Sequence, residues 1–180
     1  MREIRAQTSE RLPMERPANG ARRKETERES GSARELDLDA LKQTPGFMIR
    51  ILQLQNFEAF YRHFESLDLS PVEYSILVTV RDNKTVTQSE LAAVLKMQLP
   101  NLVKILSRME ETGILKRKRS ARDRRAVELS LSAAGERRAD EASRLGQNFN
   151  ARTLSALSKS EQAAFLQMLV RLVEAHRNGI

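Results

Sequence analysis

The chain has 180 residues, of which 40% are hydrophobic and 31% are charged, and its formal net charge is +7. It contains no cysteine, which excludes disulfides, thiolate zinc sites and cysteine nucleophiles, and its two histidines, His63 and His176, lack the spacing of metal ligands. No apolar run approaches the roughly 18 residues of a membrane span, and no hydrophobic signal segment opens the sequence, so we expect a cytoplasmic protein without metal or cofactor.

The positive charge is concentrated in one segment. Residues 96–125 hold ten basic and three acidic residues, a net charge of +7, whereas basic and acidic residues balance in the rest of the chain. A basic run alone is often only a solvated face. Here it is interleaved with a helical apolar pattern at Leu102, Ile105, Leu106 and Met109, so we expect this segment to bind a polyanion.

The first 39 residues differ in composition from the rest. They hold nine basic and nine acidic residues and few large apolar side chains. Such a segment buries too little apolar surface to offset its ordering entropy. We predict a disordered or partly ordered extension over residues 1–39, with a first helix starting near Leu36–Leu41.

Three helices are predicted next. Apolar and aromatic residues recur at helical spacing over residues 45–65, which predicts a long amphipathic helix. Ser70 and Glu73 form a capping box at the start of a second helix, and Thr87 and Glu90 form another before a short third helix.

A fourth helix and a hairpin follow. Gln98 is the expected cap of a helix over residues 99–112, which ends at Gly113. Together with the third helix it predicts a helix-turn-helix. Residues 116–119 and the alternating residues 127–131 then predict a two-stranded hairpin.

Two helices complete the chain. Ser132 is positioned to cap a helix that runs to about Phe149. Ser158 and Glu161 form a further capping box, followed by an apolar C-terminal helix.

Three segments, residues 87–95, 100–115 and 123–135, resemble the MarR family of transcriptional regulators. The most specific element is the D-x-R pattern of Asp123 and Arg125, followed by an L-S/T-x-x-G pattern from Leu131 to Gly135. The likeness extends over about residues 45–177. It implies a mainly α fold with a small β-hairpin wing: a winged helix-turn-helix over residues 67–131, an N-terminal dimerisation helix over 40–66 and C-terminal dimerisation helices over 132–180.

The resemblance also implies a DNA-binding surface. In the family the fourth helix enters the major groove, the wing arginine approaches the minor groove, and the acidic wing residue orients its basic neighbours. The matching candidate residues are Thr87, Gln98, Leu99, Asn101, Lys104, Arg108, Arg122, Asp123, Arg124 and Arg125.

Side-chain chemistry supports this surface independently. Amides pair with adenine edges, lysine and arginine pair with guanine, and Leu99 suits a thymine methyl group. Two alternatives stay open, since Arg108 is equally suited to fixing the helix internally and Lys104 to binding a phosphate. Gln98, Leu99 and Asn101 stand where the family often has small hydroxyl residues, so we expect a different operator preference.

The partners expected are a second copy, double-stranded DNA and a small effector. One small core cannot cover the apolar faces of the first helix and the last two helices, which predicts a partner chain. The resemblance implies a homodimer on a pseudo-palindromic operator, with half-sites about 34 Å apart.

The resemblance further implies control by an aromatic carboxylate or an acyl-CoA thioester. Aromatic and cationic residues near the end of the first helix are the candidate effector site. For each single aromatic residue, core packing is the favoured alternative. The candidates are Phe57, Phe60, Tyr61, Arg62, His63, Phe64 and Tyr74.

The function expected is that of a sequence-specific dimeric DNA-binding regulator, by default a repressor released by its effector. An enzyme is not expected, because the sequence has no glycine-rich phosphate loop and no nucleophile elbow. The alternative is a non-specific architectural or RNA-binding winged-helix protein without effector control.

Overall fold

Helices dominate the structure, a computed structural model that describes residues 36–83, 85–121, 123 and 125–177. The predicted mainly α architecture is confirmed. Of the predicted extension over residues 1–39, residues 1–35 lie outside the described part. The elements in chain order are α1 (Asp39–Lys42), α2 (Pro45–His63), a short 3-10 helix (Glu65–Leu67), α3 (Pro71–Asn83), β1 (Val86–Thr87), α4 (Gln88–Val94), α5 (Leu99–Glu111), β2 (Leu115–Arg119), β3 (Val127–Leu131), α6 (Ala133–Thr153) and α7 (Lys159–Arg177).

The sheet has three antiparallel strands in the order β1-β3-β2. The predicted hairpin of β2 and β3 is confirmed, and its register pairs Leu115 with Leu131. The third strand, β1, in which Val86 pairs with Leu129, was not predicted, because two residues are too few to show an alternating pattern. This strand joins the wing hairpin to the start of α4.

Capping groups begin most helices as predicted. The Thr87 hydroxyl accepts a hydrogen bond from the Glu90 amide at 3.2 Å, and the Glu90 carboxylate accepts one from the Thr87 amide at 2.7 Å. Equivalent bonds form at the starts of α3 and α7, and Ser132 caps α6. Gln98 occupies the N-cap position of α5 as predicted, but its side chain makes no capping bond. The preferred capping side chains are shorter than glutamine and reach the first amides of a helix directly.

The core lies between the sheet and the helices α2 to α6. Leu77, Leu102, Leu106 and Leu129 are completely buried. Burial of Leu102, Leu106 and Met109 confirms the apolar stripe predicted for α5, although Ile105 is only half-buried. The opposite face of α5 is therefore exposed to solvent.

Small residues let α6 pack closely on α3. Ala139 and Ala142 are completely buried on α6, and Gly146 faces Tyr74 of α3. A Cβ atom at Gly146 would lie 2.1 Å from the Tyr74 hydroxyl oxygen, so a larger residue there would require the Tyr74 ring to shift. This contact fixes the long helix α6 against the helix-turn-helix.

The last helix is exposed along its length. None of the described residues of α7 is buried, and its apolar residues Leu166 and Val173 are 51% and 66% exposed. No helix within the described ranges is long and apolar enough to cross a membrane.

Candidate DNA-binding surface

One face of α5 presents polar and basic side chains to solvent. Gln98, Asn101, Lys104 and Arg108 are all exposed, and Leu99 beside them is 42% exposed. These residues recur every three or four positions, so they share the face opposite the buried stripe. The arrangement provides amide, cationic and apolar groups for the edges of base pairs.

The turn before α5 depends on a left-handed backbone at Lys96, whose φ is 53°. Its amide donates to the Ala93 carbonyl oxygen, and the Met97 amide donates to that of Ala92 at 3.0 Å. The turn directs the chain from α4 into α5. The exposed Lys96 side chain adds a cation beside the start of α5.

Asp123 shapes the tip of the wing. Its carboxylate accepts a hydrogen bond from the Arg125 amide at 2.9 Å, and its carbonyl oxygen accepts one from the Ala126 amide at 2.9 Å. The Ser120 amide donates to the Ala126 carbonyl oxygen and closes the loop. Asp123 therefore holds the backbone of Arg125, whose side chain is exposed. The other two candidate wing residues, Arg122 and Arg124, lie outside the described residues.

Further cations lie on β2 and were not among the predicted site residues. Lys116, Lys118 and Arg119 are exposed, whereas Leu115 is buried. Alternation along a strand, which sends successive side chains to opposite faces, is the sequence signal that identifies Lys116 and Lys118. These cations extend the positive surface from α5 along the wing.

Thr87 occupies a different position from the other candidates. Its hydroxyl and amide are engaged in the capping box with Glu90, and its side chain is half-buried. Hydrogen bonds from the Thr87 amide and hydroxyl lower the pKa of the Glu90 carboxyl. The capping box therefore holds Thr87 at the point where β1 meets α4.

The aromatic candidates do not line one cavity. Phe60 and Phe64 stack with ring centroids 4.1 Å apart and are 5% and 1% exposed, so they belong to the core. Tyr74 packs edge-on against both rings, and burial raises the pKa of its hydroxyl. Tyr61 is exposed and Phe57 is half-buried. The burial of Phe60 and Phe64 matches the core-packing alternative.

Arg62 and His63 instead line a groove between α2 and α6. The groove has a volume of about 510 Å³ and also contacts Phe149 and Arg152. A ring nitrogen of His63 lies 2.9 Å from the Leu145 carbonyl oxygen, which fixes the imidazole against α6. Within the described residues, the lining includes two arginines and no carboxylate. This composition suits an anionic ligand.

Comparisons with known proteins agree with this architecture. The sequence model of the MarR family matches residues 69–127. A putative transcriptional regulatory protein for the hcr operon of Thauera aromatica is 30% identical over 132 residues, which cover 71% of this chain and 77% of that protein.

Two solved structures of the transcriptional repressor CouR are also similar. The complex with a 23-mer DNA duplex has 29% identity and a TM-score of 0.73, covering 77% of this chain and 99% of CouR. The complex with p-coumaroyl-CoA has 27% identity and a TM-score of 0.69, covering 77% and 98%.

Proposed function

The chain belongs to the MarR family of DNA-binding transcriptional regulators, and from this premise we propose that two copies bind a pseudo-palindromic operator as a repressor released by a small anionic effector. The observation that supports this best is the exposed polar face of α5 beside the cationic wing. The wing tip is fixed by Asp123, so its arginine is preorganised for DNA. CouR, a repressor of similar fold, was solved on a DNA duplex.

Exposed apolar side chains on two helices support the homodimer. Ile49 of α2 is 54% exposed and Val173 of α7 is 66% exposed. Contiguous apolar surface of this kind marks interaction sites, and covering it contributes about 25 cal/mol per Å². We assign residues 40–66 and 132–180 to dimerisation. Two-fold pairing then separates the two α5 helices by about 34 Å, one turn of DNA.

The groove between α2 and α6 is the proposed effector site. Arg62 and Arg152 are suited to bind a carboxylate or a phosphate, and the edge of Phe149 offers an apolar contact. CouR was solved with p-coumaroyl-CoA, an aromatic acyl-CoA thioester. Because α2 and α6 belong to the proposed dimerisation regions, a ligand between them changes the spacing of the two α5 helices. A coupling of about 1–3 kcal/mol suffices for 5–150-fold control.

The DNA proposal is tested on a duplex selected from a random-sequence library by the wild-type protein. Lys104→Ala with Arg125→Ala is expected to weaken binding at least tenfold and to flatten the salt dependence, because each lost phosphate contact lowers the slope by about 0.9. Lys42→Ala with Arg144→Ala removes the same charge from exposed ion pairs in the proposed dimerisation regions. It is the matched control once analytical ultracentrifugation shows that this variant still dimerises. Equal retention by both variants refutes the proposed surface. If the wild-type protein binds a scrambled duplex as tightly as the selected one, the non-specific architectural alternative is favoured.

The effector proposal is tested by titrating the protein–duplex complex with p-coumarate, benzoate and their CoA thioesters. At least one ligand is expected to release DNA, and Arg62→Ala with Arg152→Ala should abolish that release without weakening DNA binding. Failure of all four ligands rejects this effector class.

A further inference from the structure

The carboxylate of Glu110 joins the recognition helix α5 to the wing. It accepts a hydrogen bond from Arg117 Nε at 2.8 Å and a longer one from the Arg117 amide at 3.3 Å. It also forms an ion pair with Arg117 Nη2 at 2.5 Å. The Arg117 side chain is 24% exposed and that of Glu110 is 38% exposed. These hydrogen bonds lower the pKa of Glu110, so the pair stays ionised at neutral pH.

The location of Arg117 makes this contact more than a surface ion pair. Arg117 is the middle residue of β2, where it pairs with the completely buried Leu129 of β3. β2 is an edge strand of the sheet, and no strand among the described residues pairs with its outer edge. The bond from the Arg117 amide shows that Glu110 occupies this edge. Two guanidinium nitrogens donate to Glu110 Oε2 and the Arg117 amide donates to Oε1, so both the side chain and the backbone of Arg117 are held by one carboxylate.

The two elements joined in this way are the ones that the proposed function places on DNA. Glu110 belongs to the same helix as the exposed polar residues of α5, and Arg117 stands between the exposed Lys116 and Lys118 on β2. An operator requires both elements to fit adjacent grooves at the same time, so any freedom between them costs binding energy. Arg117 differs from its neighbours Lys116 and Lys118, since its charge is already paired.

We infer that Glu110 is a positioning residue for DNA binding, which through Arg117 holds the wing in the orientation that lets α5 and the wing engage one operator together. The inference rests on the proposed DNA-binding surface. It assigns Arg117 to the internal pair and leaves phosphate binding to the exposed cations around it.

This inference predicts an effect opposite to that of simple electrostatics. A carboxylate close to DNA repels phosphates, so neutralising it should strengthen binding. If Glu110 acts as a positioning residue, its neutralisation weakens binding to the selected duplex instead. Glu111 is the matched control, because it is the adjacent residue on α5, is exposed, and makes no ion pair with the described residues.

The experiment measures the affinities of full-length variants for the selected duplex and a scrambled duplex of equal composition. Glu110→Gln is expected to lose about tenfold in affinity for the selected duplex, the loss of a charge-assisted bond. Its affinity for the scrambled duplex should stay equal or rise, because the released Arg117 gains access to phosphates. Glu111→Gln should bind both duplexes at least as tightly as the wild type.

A double-mutant cycle identifies the pair as the cause. Glu110→Gln and Arg117→Gln should each lose specific affinity, and the double variant should lose little more than either alone. Additive losses, or a flatter salt dependence for Arg117→Gln alone, make Arg117 a phosphate contact and overturn the inference. Circular dichroism shows which variants are folded; if Glu110→Gln unfolds, the same loss of operator preference in Arg117→Gln decides.

The outcomes separate this inference from the proposed function. If Lys104→Ala with Arg125→Ala leaves specific binding intact, the DNA-binding surface itself is wrong. If that variant fails to bind while Glu110→Gln behaves like Glu111→Gln, only the positioning role is refuted.

Discussion

Adding one methyl group at Gly135 should have a large destabilising effect. An ideal Cβ at this residue would lie 2.0 Å from the Ile114 carbonyl oxygen and 3.3 Å from the Leu131 Cβ atom. Contacts below 3.0 Å require the structure to shift. The nearest obstacle is backbone, so no side-chain rotation relieves it. Ile114 also accepts a hydrogen bond from the Ser132 amide at 3.0 Å, which ties the start of α6 to β2.

The magnitude follows from this geometry. Overpacking costs about 1–3 kcal/mol, and a backbone obstacle places Gly135→Ala at the upper end of that range. For a chain of this size, about 3 kcal/mol lowers Tm by roughly 6–12 °C. Thermal unfolding followed by circular dichroism at one fixed protein concentration measures the shift, since dimerisation makes Tm depend on concentration.

Gly46 supplies the matched control. It lies in the first turn of α2, and no atom of the described part of the chain lies within 4 Å of a Cβ built there. Gly46→Ala should therefore stabilise the protein by about 0.4–1 kcal/mol through helix propensity and a less flexible unfolded chain. The same glycine-to-alanine change is therefore expected to lower Tm at Gly135 and to raise it at Gly46. A Gly135→Ala variant as stable as the wild type would refute the close approach of α6 to Ile114.

Three further predictions concern the turn, the last helix and a capping box. Lys96→Gly should raise the free energy of unfolding by up to about 1 kcal/mol, because a φ of 53° costs an L residue that amount. The same change should weaken DNA binding, because a cation is lost. If thermal stability and DNA affinity both rise or both fall, the prediction is wrong. A protein that lacks residues 158–180 should lose dimerisation and specific DNA binding together, as measured by analytical ultracentrifugation and footprinting. A normal footprint from this shortened protein would contradict the prediction. Glu90→Gln should lower Tm at neutral pH. Because the pKa of Glu90 lies below its ordinary value of 4.5, the capping box stabilises above that value, and the Tm difference should close as the pH falls through the lowered pKa.

Features formed by neighbours in sequence were predictable. The capping boxes at Thr87 and Ser158 join residues three positions apart, and the apolar stripe of α5 repeats within a single helix. Such contacts depend on local geometry alone. The concentration of charge over residues 96–125 likewise identified the surface proposed for DNA.

Where several elements meet, local patterns were insufficient. Gln98 stands at the predicted N-cap position but makes no side-chain capping bond, and β1 was not predicted. The aromatic residues near the end of α2 include two core residues, Phe60 and Phe64, whereas Arg62 and His63 line a groove. The sequence shows that these aromatic residues are clustered. The environment of each ring depends on which side of α2 packs against α6, and this is set by the tertiary structure.

The amino-acid sequence by itself determined the order of elements, the ends of most helices and the segment that is positively charged, because these depend on spacing along the chain. Only the tertiary structure decided that Arg117 pairs with Glu110 while Lys116 and Lys118 remain exposed. The physical reason is that the orientation of a strand against a helix is set by packing of the whole core, and this orientation determines which of several similar cations is paired and which is free to meet a polyanion.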